Sequence, residues 1–417
     1  LTPSIQISTV RGLRVATEHV PGARSVCSGV WVGVGARDEP AELAGVSHFL
    51  EHLLFKGTAH RSAQDLARAV DRVGGDMNAF TTKEYTAYYT RLPAGAADLG
   101  LELLGDVISS PALRDLDVES ERQVIAEELA MDDDTPDDKA HSLLADALFP
   151  KHPLGRETAG DRTSVASITA DQVRSFFGRW YRPANIVVAV AGDVDHADVV
   201  AAIERWPLEP TDAGAPVRTP PGDAIVGFAG LKRSTEQVHV AIGYRAMARR
   251  DPDREALDVL NHVLGGGMSS RLFDEIRERR GLAYAVFSGP SFYADAGALS
   301  IYAGTSKENL DEVLDCIDTE IDRLVNDGVT DTELDVARGY LSGSYLLGLE
   351  DAASRMSRLG GQLTVLGELA DVDEQLERFR SVTADDVLRV ARRVLTPSRA
   401  LAVVGPVSTK ALRARVA

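Results

Sequence analysis

Apolar residues along the chain recur with two periods, and the period names the element. Arg14 to Glu18 and Ser28 to Gly35 read as strands, the second with Val30, Val32 and Val34 alternating onto one side. From His48 the period changes. Placed on a helix at about 100° per residue, His48, Glu51 and His52 share one narrow face, while Leu50, Leu53 and Leu54 form an apolar back. Phe55-Lys56-Gly57-Thr58 ends this helix, with Gly57 as its C′ residue. Ser62 to Val73 predicts an amphipathic helix with Leu66, Ala69, Val70 and Val73 inward, and Gly74-Gly75 breaks it. Asp76 to Leu92, rich in Thr, Tyr and Phe, predicts two strands. Asp117 to Met131 predicts a helix on which Glu121 and Glu128, seven apart, lie on one face.

The pattern then repeats. Ser167-Ile168-Thr169-Ala170-Asp171-Gln172-Val173 matches Ser381-Val382-Thr383-Ala384-Asp385-Asp386-Val387 at an offset of 214. Each stretch opens a helix with Thr as N-cap. Each helix leads to a proline, Pro183 or Pro397, and then to a buried strand ending at glycine, Ile186 to Gly192 or Ala400 to Gly405. Leu99 and Leu310 sit in a further pair of similar helices. Pro207 to Gly222, with five prolines and two glycines, reads as a linker. The expected organisation is a first domain over 1–206, a linker over 207–222 and a homologous domain over 223–417. Long amphipathic helices beside hairpins predict an α+β class, each domain a mostly antiparallel sheet covered by helices.

Composition narrows the partners. The 417 residues carry a net charge of −18, which argues against nucleic acid or an anionic membrane as partner. No apolar run reaches transmembrane length. Two cysteines, Cys27 and Cys316, provide neither a disulfide framework nor a metal site. The first residues show no charged segment followed by an apolar one, and there is no initiator methionine. A cytoplasmic location is the expectation.

The candidate chemistry lies in His48-Phe49-Leu50-Glu51-His52. Imidazoles at i and i+4 can bind one zinc ion, and a carboxylate beside them can reach a water on that ion. The H-x-x-E-H order is the inverzincin motif. Read alone, it also fits ordinary histidines on an amphipathic helix, and zinc needs a third protein ligand. The second half lacks the motif: Leu257, Asn261 and His262 stand around its matching helix, with Tyr340 near the place of Glu128.

With the stretch Glu121-Arg122-Gln123-Val124-Ile125-Ala126-Glu127-Glu128, the chain resembles the pitrilysin-like zinc metallopeptidases. That family includes mitochondrial processing peptidase and insulin-degrading enzyme, and the bacterial peptidases akin to the former are the nearest in kind. There the third ligand is a glutamate about 75 residues past the second histidine, on a segment reading E-R-x-V-I-x-x-E. The resemblance makes Glu128, 76 residues past His52, that ligand and Glu121 a carboxylate supporting the ligands. Glu127 is left as a surface residue. It also implies a clamshell-type fold and an exposed edge strand, Asn78-Ala79-Phe80-Thr81, that takes substrate backbone as an added strand. Gly265-Gly266-Gly267 becomes the glycine-rich loop that handles substrate. The residues alone leave a flexible loop or, less aptly, a phosphate cradle, for the stretch lacks the Lys-Ser/Thr of a P-loop. Arg277 and Tyr284 become the pair that binds the substrate carbonyl.

The resemblance therefore implies a zinc endopeptidase of peptides or unfolded segments, with one Zn²⁺ per chain on His48, His52 and Glu128. Glu51 is the implied base. A non-catalytic or partner-dependent subunit and a zinc hydrolase of non-peptide substrates are the alternatives. In the family a catalytic half always faces a second half. The motif and the glycine loop occur here in one chain, so a homodimer sharing its sites is expected, with a paralogous subunit as the other arrangement.

Overall fold

The computed structural model describes residues 4–209, 214–408 and 412–413. The chain forms two compact units. They are not the two halves expected from the sequence. One unit takes the chain through Leu129, then Glu157–Arg218 and Leu346–Ala370; the other takes Ala130–Arg156, Thr219–Tyr345 and the chain from Asp371. Each half thus gives a segment to the other's unit, and two of the divisions fall inside the long helices Asp115–Asp134 and Asp331–Gly348.

The first unit is built on six strands: β1 Ser4–Val10, β2 Leu13–His19, β3 Ser25–Val32, β4 Asp76–Thr81, β5 Thr86–Pro93 and β6 Ile186–Gly192. Their order is β1-β2-β6-β3-β5-β4, with β2 and β6 parallel and the other neighbours antiparallel. β4 is therefore an edge strand, as expected. β3 starts earlier and stops sooner than its valine pattern suggests, because the Gly33 N–H leaves the ladder for the Asn185 carbonyl.

Helices Val46–Leu54, Ala97–Ser109 and Ala170–Trp180 cover one sheet face around a core that includes Val30, Leu50, Leu53, Leu104 and Val188. The opposite face meets Ala352–Val365, a helix from the far half of the sequence, through Trp31, Ala189, Met356 and Leu359. A Cβ on Gly360 would stand 2.1 Å from the Trp31 ring, so glycine is what allows that helix to lie against the indole.

The second unit repeats the plan with β7 Phe228–Lys232, β8 Val238–Ala246, β9 Ala283–Phe292, β10 Gly297–Thr305 and β11 Ala400–Gly405. The order β7-β11-β8-β10-β9 reproduces β2-β6-β3-β5-β4, including the one parallel pair. Thr169 and Thr383 cap their helices as the repeat requires, each accepting the N–H three residues on. The outer face of this sheet is covered by Pro136–Leu148, from the first half of the chain.

Of the expected linker, residues 210–213 lie outside the described residues. Arg218 is fastened to Asp38 by two bonds of 2.9 and 2.8 Å and to the Glu84 carbonyl. Further on, the Gly222 carbonyl accepts from Arg245. Both sides of the linker are thus tied within their own units. Among the described residues no helix is long and apolar enough to cross a membrane.

Candidate metal centre

The helix Val46–Leu54 is held from below and from its start. Val46, Phe49, Leu50, Leu53 and Leu54 are fully buried, so its register cannot slip without exposing them. Glu39, itself buried, accepts the Gly45 and Ser47 N–H groups at 2.7 Å each, satisfying the helix start with a charge that suits it. Gly45 has φ of +95°, and a Cβ there would stand 2.4 Å from the Ala159 carbonyl oxygen. The opposite face carries His48, Glu51 and His52.

The helix Asp115–Asp134 brings Glu121 and Glu128 to that face. Glu128 Oε2 lies 3.8 Å from His48 Nε2 and 3.5 Å from His52 Nε2. The three donors all lie within 4.8 Å of one another. A tetrahedral ion with bonds of about 2.0–2.1 Å separates its ligands by about 3.4 Å, so the donor set fits zinc in both type and spacing. Burial and the neighbouring His52 push the His48 pKa down to about 4, which keeps its imidazole neutral and able to donate a lone pair. Its Nδ1 is buried without a hydrogen-bond partner among the described residues. Glu127 is exposed, as expected.

Glu121 is almost wholly buried and meets His52 Nδ1 at 3.1 Å. A carboxylate only accepts, so His52 donates from Nδ1 and keeps Nε2 bare toward Glu128. The second Glu121 oxygen meets Lys56 Nζ at 2.5 Å. Glu51 stands beside this cluster. The Thr81 hydroxyl, from β4, donates to Glu51 Oε2 at 2.6 Å. Burial raises the Glu51 pKa, and the charge of Glu128 adds to the rise, while the Thr81 bond and His52 oppose it.

The first unit therefore gathers His48, Glu51, Glu121 and Glu128 around His52, with Thr81 bonded to Glu51. Asn78, Ala79 and Phe80 lie beside Thr81 on the edge strand, where the Asn78 side-chain oxygen accepts the Ala79 N–H. Two links were missed in the sequence. Lys56 lies one turn past His52, an i+4 spacing that could have revealed it. Thr81 was assigned to the strand for its backbone, and no local pattern ties its hydroxyl to Glu51.

In the second unit His262 stacks on Tyr340, ring centroids 4.1 Å apart. Arg122 and Arg338 make matching bonds to the Ile168 and Val382 carbonyls, and in that register the place of Glu128 falls at Ser344, one turn past the expected Tyr340. The glycine run is packed rather than loose. Gly265 and Gly266 lie in a short π-helical turn, and Cβ atoms on Gly265, Gly266 and Gly267 would stand 2.8, 2.7 and 2.5 Å from Ser288, Asn261 and His262. The run does not open a free loop before an α-helix, since a second π-helical stretch, Phe273–Arg279, follows. Arg277 lies over the Phe273 and Tyr284 rings, 4.7 and 4.8 Å from their centroids, and Tyr284 is 79% exposed.

Two repeated α/β units, only one of them bearing the inverted histidine motif, define a class of chains built like metallopeptidases. The family description "Insulinase (Peptidase family M16)" matches residues 14–162, and "Peptidase M16 inactive domain" matches residues 167–341. The chain belongs to the M16, or insulinase, peptidase family. A Streptomyces coelicolor protein named as an uncharacterized zinc protease is 44% identical over 418 residues, covering 97% of this chain and 91% of that one. One from Bacillus subtilis with the same description is 37% identical, covering 95% and 96%. The structure of a protease from Helicobacter pylori superposes with a TM-score of 0.89 at 25% identity, over 97% of this chain and 100% of that one. A Pseudomonas fluorescens structure described as a peptidase M16 inactive domain shares the fold, with a TM-score of 0.90 at 21% identity over 97% and 98%.

Proposed function

We propose that the protein is a zinc-dependent endopeptidase acting on peptides or unfolded segments. One observation carries this reading: His48, His52 and Glu128 converge at zinc-ligand spacing with Glu51 beside them. Zinc bound there supplies a Lewis acid and lowers the pKa of a water in its open position toward about 7.

Glu51 takes the proton from the attacking water. Its Oε2 is engaged by Thr81, which leaves Oε1 to hold the proton and pass it to the leaving amine. The raised Glu51 pKa suits a group that must both accept and return a proton. β4 holds the peptide extended along its open edge, and a substrate carbonyl takes over the Ala79 N–H from Asn78. Arg277 and Tyr284 bind the carbonyl oxygen, contributed by a second copy of the chain. The exposure of Tyr284 and its stacking with Arg277 support a pair offered to a partner.

Mass spectrometry of products from a diverse peptide library tests the reading. Internal cleavage that stops with chelator and returns with zinc is the expected result. A library left intact by the zinc-loaded chain favours the non-catalytic subunit instead.

A further inference from the structure

The geometry points to Lys56 as a positioning residue for the metal centre, acting through Glu121 on His52. The inference rests on the zinc reading above and adds a residue to it. His48, His52 and Lys56 follow one another at i, i+4 and i+8, so Lys56 continues the ligand stripe past the end of the helix. Its backbone is fixed there. The Lys56 N–H donates to the Leu53 carbonyl at 3.1 Å, and Arg114 donates to the Lys56 carbonyl at 2.7 Å. Arg114 is tied in turn to Asp117, at the start of the helix that carries Glu121.

The side chain reaches inward from a partly exposed position. Its ammonium forms an ion pair with Glu121 Oε1 at 2.5 Å, held by charge and not by hydrogen-bond geometry, while Glu121 Oε2 meets His52 Nδ1 at 3.1 Å. The Glu121 side chain is 2% exposed, against 39% for Lys56. A carboxylate so far from water needs both oxygens engaged to hold its charge and its orientation. Lys56 fixes one oxygen, which aims the other at His52. His52 then keeps its hydrogen on Nδ1 and its lone pair on Nε2, facing Glu128. Without the ammonium, Glu121 keeps, among the described residues, only the imidazole it is meant to orient.

The test is zinc affinity of the full-length chain, read by competition with a chromophoric chelator, so that peptide turnover is not needed. Removing an outer partner of a metal ligand costs about 10–100-fold in affinity, and Lys56 acts one group further out, so Lys56→Gln should lose about tenfold. Lys56→Arg, which keeps the cation, should come back to within about threefold of wild type. Lys56→Met gives a second truncation should the Gln variant misfold. In a Glu121→Gln background, adding Lys56→Gln should cost less than about twofold, because the carboxylate it acts through is gone. Wild-type affinity in both truncations, or the same loss with and without Glu121, overturns the inference. A wild-type chain that binds no zinc overturns the metal-centre reading itself, so the two failures are distinguishable.

Discussion

Replacing Glu51 by Gln separates proton handling from everything else this side chain does. The amide matches the carboxylate in size, and its oxygen can still accept the Thr81 hydroxyl that reaches Glu51 Oε2 at 2.6 Å. Glu51 is not one of the three converging donors, so the metal should stay. What disappears is the site that receives the proton. General-base catalysis is worth about 10²–10⁴-fold, and Glu51 is half-buried and held by Thr81, so the loss should be at least about 10²-fold. At about 1.4 kcal/mol per decade this is about 2.7 kcal/mol or more of lost transition-state stabilisation. The assay is kcat/KM on a quenched fluorescent peptide, with zinc content measured on the same samples. Activity within about threefold of wild type at equal zinc loading refutes Glu51 as the base. Loss of zinc together with activity makes Glu51 a structural support of the site instead.

Thr81→Val removes the hydrogen bond that favours the Glu51 carboxylate, so its pKa, already raised by burial, should rise further. The base works only when deprotonated, so the acid limb of the kcat/KM profile should move to higher pH; an unmoved limb, or one moved to lower pH, contradicts the link. Glu128→Gln should weaken zinc binding in chelator competition, whereas Glu127→Gln, on an exposed side chain, should not; the reverse ranking would show that the wrong glutamate was assigned. On the proposed sharing of sites between two copies, Glu51→Gln and Arg277→Ala should each be impaired, while dual-tagged mixed dimers regain one complete site from two different chains. Mixed dimers no better than either parent refute shared sites.

Much of this arrangement was legible in the sequence, for identifiable reasons. The 48–52 stripe could be read because helix period alone sets three polar side chains against buried Leu50, Leu53 and Leu54. The repeat could be read because a Thr N-cap, a proline and a buried strand recur at fixed spacing, and the two sheets do share one strand order. The exchanged segments could not. An apolar face on Ala352–Val365 or Pro136–Leu148 shows that something must cover it, but periodicity carries no information about which sheet does. The glycine run was misleading for a related reason. Three glycines suggest freedom, whereas here they permit close approach to Ser288, Asn261 and His262. The Lys56–Glu121 and Thr81–Glu51 links join residues 65 and 30 positions apart; the i+4 step from His52 points at Lys56, but only the folded chain shows which carboxylate each residue meets.

The most direct test is a zinc titration of the stripped chain, with bound metal and peptide cleavage followed in the same samples. Cleavage should rise in proportion to bound zinc and stop rising at one ion per chain, while Glu51→Gln binds the same ion and stays inactive. Cleavage that persists in the metal-free chain, or that bears no relation to zinc bound at His48, His52 and Glu128, would contradict the account.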